Sequence, residues 1–214
     1  MLSYDEALEK YIETHIDAEP ADLHALYRET HLRCLYPRMC SGHYQGRLLK
    51  MLTAMVRPRR VLELGTFTGY SALCIAEGLD SEGIIDTIEI DCEKEEHLRN
   101  LFDASDYAGR INVFIGDALS VIPTLPHRYD MVFIDANKRH YRDYLELVLP
   151  MVPVGGFILA DNTLWDMKVV SEAGRPDIKT DAIARFNDFV AADPRLEKVI
   201  LPVRDGLTIM RRVK

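Results

Sequence analysis

The chain has 214 residues, of which 48% are hydrophobic, enough to build a substantial buried core in a single domain. Its formal net charge of −8 counts against a nucleic-acid or anionic-membrane partner, since either needs a clustered basic surface, and favours a small-molecule partner. The opening MLSYDEALEKYIETHIDAEP is broken by charge every few residues, so it lacks a signal peptide's apolar centre. No run reaches the roughly 18 to 20 apolar residues that cross a bilayer, so a cytoplasmic protein is expected.

From residue 1 to 57 the apolar spacing is helical. Tyr4, Leu8, Tyr11 and Ile12 form one stripe, and Leu23, Leu26 and Tyr27 begin another. GRLLKMLTAMV at 46–56 reads as a third helix that stops before Pro58, whose ring blocks further turns. These helices are expected to form a cap on a core spanning 58–214. Cys34, Cys40, Cys74 and Cys92 are too scattered for a disulfide framework and are read as reduced thiols. His31, Cys34, Cys40 and His43 fall close together but lack the paired clips of a structural zinc site, and packed or surface side chains explain them better.

From Arg60 onward, short runs rich in Val and Ile alternate with segments of helical length, the signature of a parallel sheet with crossover helices. The predicted strands are VLEL at 61–64, IIDTIEI at 84–90, INVFI at 111–115, MVFID at 131–135 and GFILA at 156–160. After a long helix at 181–193 come KVILPV and LTIMRRV, joined by a short Arg-Asp-Gly turn of hairpin type. The expected fold is α/β: a Rossmann-like, doubly wound sheet, mostly parallel, with a C-terminal antiparallel edge hairpin and N-terminal helices. SEAGRPDIKT at 171–180 reads as a flexible lid.

VLELGTFTGYSALCIAEGL passes from strand through a glycine turn into a helix, which is how doubly wound sheets hold nucleotides at their strand ends. Gly65 and Gly69 are four apart, whereas a pyrophosphate-binding loop carries G-x-G-x-x-G. Glu63, two residues earlier, would repel a phosphate but suits the ammonium of an amino-acid moiety. Glu89 ends the next strand, where an acidic side chain accepts from ribose hydroxyls. Gly116, Asp117 and Ala118 close the third strand and could flank an adenine. A nucleoside linked to an amino acid fits these ends together, although each residue alone is equally a turn or cap residue.

The fourth strand runs into Asp135 and the fifth into Asp161 and Asn162, all at one carboxyl edge. Two carboxylates and an amide oxygen form a hard set suited to Mg²⁺, with Mn²⁺ or Ca²⁺ as alternatives. If each ligand binds through one oxygen, an octahedral ion keeps three positions, two for a vicinal diol and one for water. Lys138, three residues past Asp135 at the start of the following helix, is assigned the general base. Singly, Asp161 and Asn162 could open a turn and Lys138 could be a solvated lysine; their convergence with the cofactor cradle favours the functional reading.

VLELGTFTGYSA, TIEID, FIDANK, ADNTLW and RDGLTIMRR resemble, in order and spacing, the metal-dependent class I O-methyltransferases, the group of caffeoyl-CoA O-methyltransferases and catechol O-methyltransferase. The resemblance spans nearly the whole chain and is closer to the caffeoyl-CoA branch and its bacterial relatives. It implies S-adenosyl-L-methionine as cofactor, with Glu63, Gly65 and Ser71 on its methionine part, Glu89 on the ribose, and Asp117 with Ala118 on the adenine. It implies Asp135, Asp161 and Asn162 as metal ligands, Asp135 also touching the cofactor, and Met39 and Ser41 in a segment that covers the cofactor and meets the substrate. Lys138, Asn162 and Trp165 would face a catechol-like acceptor, Trp165 being equally readable as a core or interface aromatic. The family is commonly dimeric, so a homodimer is expected.

Two departures stand out: Asn137 where the family often has Asp, and Gln45 where an acidic residue is usual. The lid has Arg175 and Lys179 as its basic residues, a thin surface for coenzyme A phosphates, which leaves a free catechol at least as plausible. The competing readings are an NAD-dependent oxidoreductase, a metal-independent methyltransferase acting on nitrogen or nucleic acid, and a cofactor-binding protein of the same fold that acts on a non-catechol acceptor or lacks catalysis.

Overall fold

A computed structural model describes residues 6–125, 128–170 and 177–214. The helices α1 (Glu6–Glu13), α2 (Ala21–Arg33) and α3 (Gly42–Val56) precede the sheet. Tyr4, the first residue of the expected opening stripe, and residues 171–176 of the expected lid lie outside the described residues. Then β1 (Arg60–Leu64), α4 (Tyr70–Gly78), β2 (Ile84–Glu89), α5 (Glu95–Asp103), β3 (Ile111–Ile115) and α6 (Ala118–Val121) build one half of the fold. The other half is β4 (Met131–Ile134), α7 (Tyr141–Val148), β5 (Phe157–Ala160), α8 (Ile178–Ala192), β6 (Leu196–Leu201) and β7 (Leu207–Arg212).

The seven strands lie in the order β3-β2-β1-β4-β5-β7-β6. The first five run parallel, and β7 pairs antiparallel with both β5 and β6. This is the Rossmann-like sheet with an edge hairpin that the strand pattern predicts, with helices ahead of it. Its order reverses between β1 and β4, where a crevice opens at the carboxyl ends of the strands.

The central strands are buried on both faces, which is why they read as continuous apolar runs. Leu62, Leu64, Val132, Ile134 and Ile158 pack with α7 and α8 on one face, while Val61, Phe133 and Leu159 pack with α3 and α4 on the other. Side chains alternate along a strand, so Glu63 shares the face of Val61 and is carried into an apolar layer. At the opposite end of the strands Asp86 anchors a polar cluster. It accepts from Arg60 Nε at 2.9 Å, Asn112 Nδ2 at 2.8 Å and the Tyr129 hydroxyl at 2.7 Å.

Several boundaries shift by one to four residues, and two of the shifts have a plain physical reason. Helix α3 begins four residues before the expected 46, because its first turn is polar and carries no apolar period; Gln45 is nevertheless 1% exposed. Strand β2 ends at Glu89, and Ile90, the last residue of the apolar run, is 71% exposed beyond the sheet. Among the described residues no helix is long and apolar enough to cross a membrane.

Candidate active site

Leu64 pairs with Ile134, and Ile134 with Ala160, so the residues that follow, Gly65, Asp135 and Asp161, emerge side by side at one sheet edge. The chain can approach this closely only because residue 65 is glycine. Its φ is +98°, and a Cβ there would stand 2.4 Å from the Asp135 carbonyl oxygen. Gly69, with φ +89°, precedes α4 and abuts Leu101 and Phe102.

A cavity of about 990 Å³ opens above this edge. Met39, Ser41, Gly65, Ser71, Glu89, Asp117 and Ala118, all expected around the cofactor, line it. Asp135, Lys138, Asp161, Asn162 and Trp165 line the same cavity. Glu63 stands apart: it is fully buried and is not part of the cavity wall.

Beneath the glycine turn, Thr66 and Thr87 hydroxyls lie 2.6 Å apart, and Thr87 donates to Glu63 Oε2 at 2.5 Å. Glu63 Oε1 has no hydrogen-bond partner. Burial pushes the Glu63 carboxyl up to about 7, against the hydroxyls of Ser71 and Thr87 and with help from the charges of Asp135 and Glu89. A buried carboxylate oxygen without a donor suits a positive charge nearby, although Glu63 itself does not reach the cavity wall. Glu89 accepts from the Phe67 N–H at 2.7 Å through Oε2 and from the Asp91 N–H at 3.0 Å through Oε1. Each oxygen keeps lone-pair capacity for a ribose hydroxyl. Asp117 caps α6 by accepting from the Leu119 N–H at 3.0 Å.

On the other side of the cavity, Lys138 opens a single 3-10 turn ahead of α7. Its Nζ donates to Asp135 Oδ1 at 2.6 Å and to the Tyr141 hydroxyl at 2.7 Å. Asp161 Oδ2 accepts from Gln45 Nε2 at 2.7 Å, and Oδ1 from the Asn162 N–H at 2.8 Å, so this buried carboxylate has only neutral donors. Burial and the neighbouring Asp135 charge hold the Asp161 carboxyl above the usual carboxylate range. Asn162 turns the chain with φ 57°.

Two carboxylates, Asp135 paired with Lys138 and Asp161 held by neutral donors alone, beside an amide oxygen, fit a hard divalent cation. Among the described residues no group of three or more His, Cys, Asp or Glu side chains forms a metal cage, so the set depends on Asn162 as its third donor.

Trp165 forms part of the cavity wall, with Lys168 and Lys179 Nζ 5.8 and 5.9 Å from its ring centroid. Its indole Nε1 is buried without a partner, and Trp165, Asp166 and Met167 all have positive φ. Of the expected lid, the Asp177 side chain caps α8 and Lys179 lines the cavity, while Arg175 lies outside the described residues.

Tyr141, Gln45 and Arg204 belong to this network, and sequence reading assigned none of them a place in it. Tyr141 follows Lys138 at helical spacing, a signal that was available. Gln45 stood out only as a departure from the family pattern, and its contact with Asp161 joins residues 116 positions apart.

The family described as O-methyltransferase matches residues 13–213 of the chain. Caffeoyl-CoA O-methyltransferase 5 of Nicotiana tabacum is 33% identical, covering 99% of this chain and 93% of that protein. Caffeoyl-CoA O-methyltransferase 1 of Arabidopsis thaliana is 32% identical, covering 100% and 86%. Among solved structures, the O-methyltransferase TomG of Streptomyces achromogenes, in complex with S-adenosylmethionine, superposes with a TM-score of 0.90 at 25% identity, covering both chains fully. The O-methyltransferase from Bacillus cereus, bound to S-adenosylhomocysteine, superposes with a TM-score of 0.88 at 27% identity, covering 97% of each chain.

Proposed function

We propose that this chain, which belongs to the O-methyltransferase family of S-adenosylmethionine-dependent enzymes, methylates a hydroxyl oxygen of a catechol-like vicinal diol with the aid of a divalent cation. The observation that carries this reading is the meeting of Asp135, Lys138, Asp161 and Asn162 in the same cavity as the cofactor-cradle residues.

S-adenosylmethionine supplies an electrophilic methyl group. The residues around it serve to bind and orient: Glu63, buried behind the cavity wall, would attract the ammonium by its charge, Glu89 would take the ribose, and Asp117 with Ala118 the adenine. Gly65 and Ser71 border the methionine part, while Met39 and Ser41 cover it from α3's leading segment. Asp135, Asp161 and Asn162 would hold the cation, with Mg²⁺ the best match and Mn²⁺ or Ca²⁺ the alternatives. Held by these residues, the cation would supply Lewis-acid chemistry, positioning the diol and making its reacting hydroxyl easier to ionise.

Lys138 is the general base in this scheme. It acts as the neutral amine: Nζ takes the acceptor's proton and becomes the ammonium, whose hydrogens Asp135 Oδ1 and the Tyr141 hydroxyl oxygen are placed to accept. Trp165 supplies an apolar wall for the acceptor ring. The rest of the rate comes from holding the acceptor oxygen in line with the methyl group.

The chain is tested by transfer of labelled methyl from S-adenosylmethionine to free catechols, hydroxylated flavonoids and caffeoyl-CoA. Transfer to a vicinal diol that EDTA abolishes and Mg²⁺ restores is expected. Full activity in chelator overturns the role given to the metal, and transfer only to acceptors without a vicinal diol overturns the acceptor class.

A further inference from the structure

Arg204 sits in the turn between β6 and β7 with φ 47°, a left-handed conformation that costs a non-glycine residue roughly 1–2 kcal/mol. Its guanidinium reaches across the cavity to the segment ahead of α3. Nη1 donates to the Ser41 carbonyl and, at 3.1 Å, to the Cys40 carbonyl, while Nη2 lies 3.4 Å from the Arg38 carbonyl. The same Nη1 lies 3.3 Å from Gln45 Oε1, and Gln45 Nε2 donates to Asp161 Oδ2 at 2.7 Å. One side chain from the C-terminal hairpin thus gathers the backbone around Met39 and Ser41, and a buried amide carries that contact on to Asp161.

A neutral side chain at position 45 is what makes the chain of contacts possible. Glutamine donates to one carboxylate and accepts from one guanidinium at the same time, whereas a carboxylate in its place can only accept and would repel Asp161. We propose that Arg204 and Gln45 are positioning residues that couple the two halves of the site. Ligand contact that settles the 38–41 segment holds Arg204, and through Gln45 holds Asp161 in place to ligate the cation. Cofactor and metal therefore bind with positive cooperativity. The inference rests on the reading of Asp161 as a metal ligand and of the 38–41 segment as cofactor cover.

The test is calorimetric titration of S-adenosylhomocysteine with and without saturating Mn²⁺, and of Mn²⁺ alone, on the wild-type chain and on Arg204→Gly and Gln45→Met. Glycine suits the left-handed turn, so Arg204→Gly should keep its thermal unfolding midpoint; methionine keeps the size of Gln45 without its hydrogen bonds. In the wild type, Mn²⁺ should tighten S-adenosylhomocysteine at least about 5-fold, the lower range of binding couplings. In both variants each ligand should still bind, with that ratio falling to about 1.

A merely structural role would weaken each ligand separately and leave the ratio intact, which overturns the proposal. So does a wild-type ratio of about 1 when both ligands bind, and the metal reading then survives. A wild-type chain that binds S-adenosylhomocysteine but no Mn²⁺ overturns the metal reading and the coupling with it.

Discussion

Lys138 and Asp135 form an ion pair 2.6 Å long on the cavity wall, so the residue read as base and the residue read as metal ligand are in direct contact. Both side chains are largely buried and Tyr141 accepts the lysine's second hydrogen bond, which gives Lys138 a fixed place rather than a solvated one. On the proposed reading, Asp135 would serve both the proton acceptor and the cation.

Lys138→Ala should lower turnover roughly 10²-fold or more if the amine is the general base. S-adenosylhomocysteine affinity should change little, because Lys138 is not itself among the residues read as cofactor contacts. Methyl transfer under saturating cofactor together with a binding titration separates the two. A parallel loss of cofactor affinity would make Lys138 structural.

If Glu63 pairs with the cofactor's ammonium, it gives cofactor binding a pH signature. Burial holds its carboxyl near 7, so below that pH it is protonated and cannot pair with an ammonium. S-adenosylhomocysteine affinity should rise as pH increases to about 7 and then level, with a slope approaching about tenfold per pH unit on the acid side. Glu63→Gln should flatten the profile and bind more weakly.

The same group sets a stability trend of opposite sense. A carboxyl whose folded value is raised binds its proton more tightly in the native state, so its contribution to stability falls as pH climbs from 4.5 to about 7. At ~1.36 kcal/mol per pH unit the loss is roughly 3 kcal/mol. Glu63→Gln should remove that part of the pH dependence of thermal unfolding; an unchanged dependence would refute the assignment.

Gly65→Ala should be damaging to fold and site alike. The new Cβ meets the Asp135 carbonyl at 2.4 Å from a backbone with φ +98°, and strain plus overpacking should cost about 2–5 kcal/mol. Calorimetry should show a lower Tm, and cofactor binding should be lost even where the variant still folds. A variant of native stability would mean that the two strand ends separate more easily than the packing implies.

Asp86→Ala separates stability from function. Burial would raise the Asp86 carboxyl, but hydrogen bonds from Arg60, Asn112 and Tyr129 and the Arg60 charge hold it below 3.8. Its stabilising contribution is present above 3.8 and disappears as pH falls through the lower folded value. Removing it strands Arg60 and Tyr129 and should cost about 2–4 kcal/mol, less than a wholly buried pair because Arg60 is partly exposed. S-adenosylhomocysteine affinity should be retained in the folded fraction, since the cluster lies at the far end of the strands.

Much of the sheet was legible from composition and period. The β-branched runs of the central strands are apolar on both faces because helices cover both, and the Arg-Asp-Gly turn separates two strands too closely spaced for a crossover. Two of the boundaries that shifted did so where chemistry and burial part company: Gln45 is polar but buried, and Ile90 is apolar but exposed. Period carries no information about either.

The sequence by itself determined that Gly65, Glu89, Asp135 and Asp161 stand at the carboxyl ends of strands, because strand ends follow from local pattern and parallel strands end together. Only the tertiary structure decided which polar groups complete the site. The bonds of Arg204 to Ser41 and of Gln45 to Asp161 join residues 163 and 116 positions apart. Such contacts depend on how the hairpin and α3 pack over the sheet, and hydrogen-bond geometry in a buried space is specified by packing rather than by residue type alone.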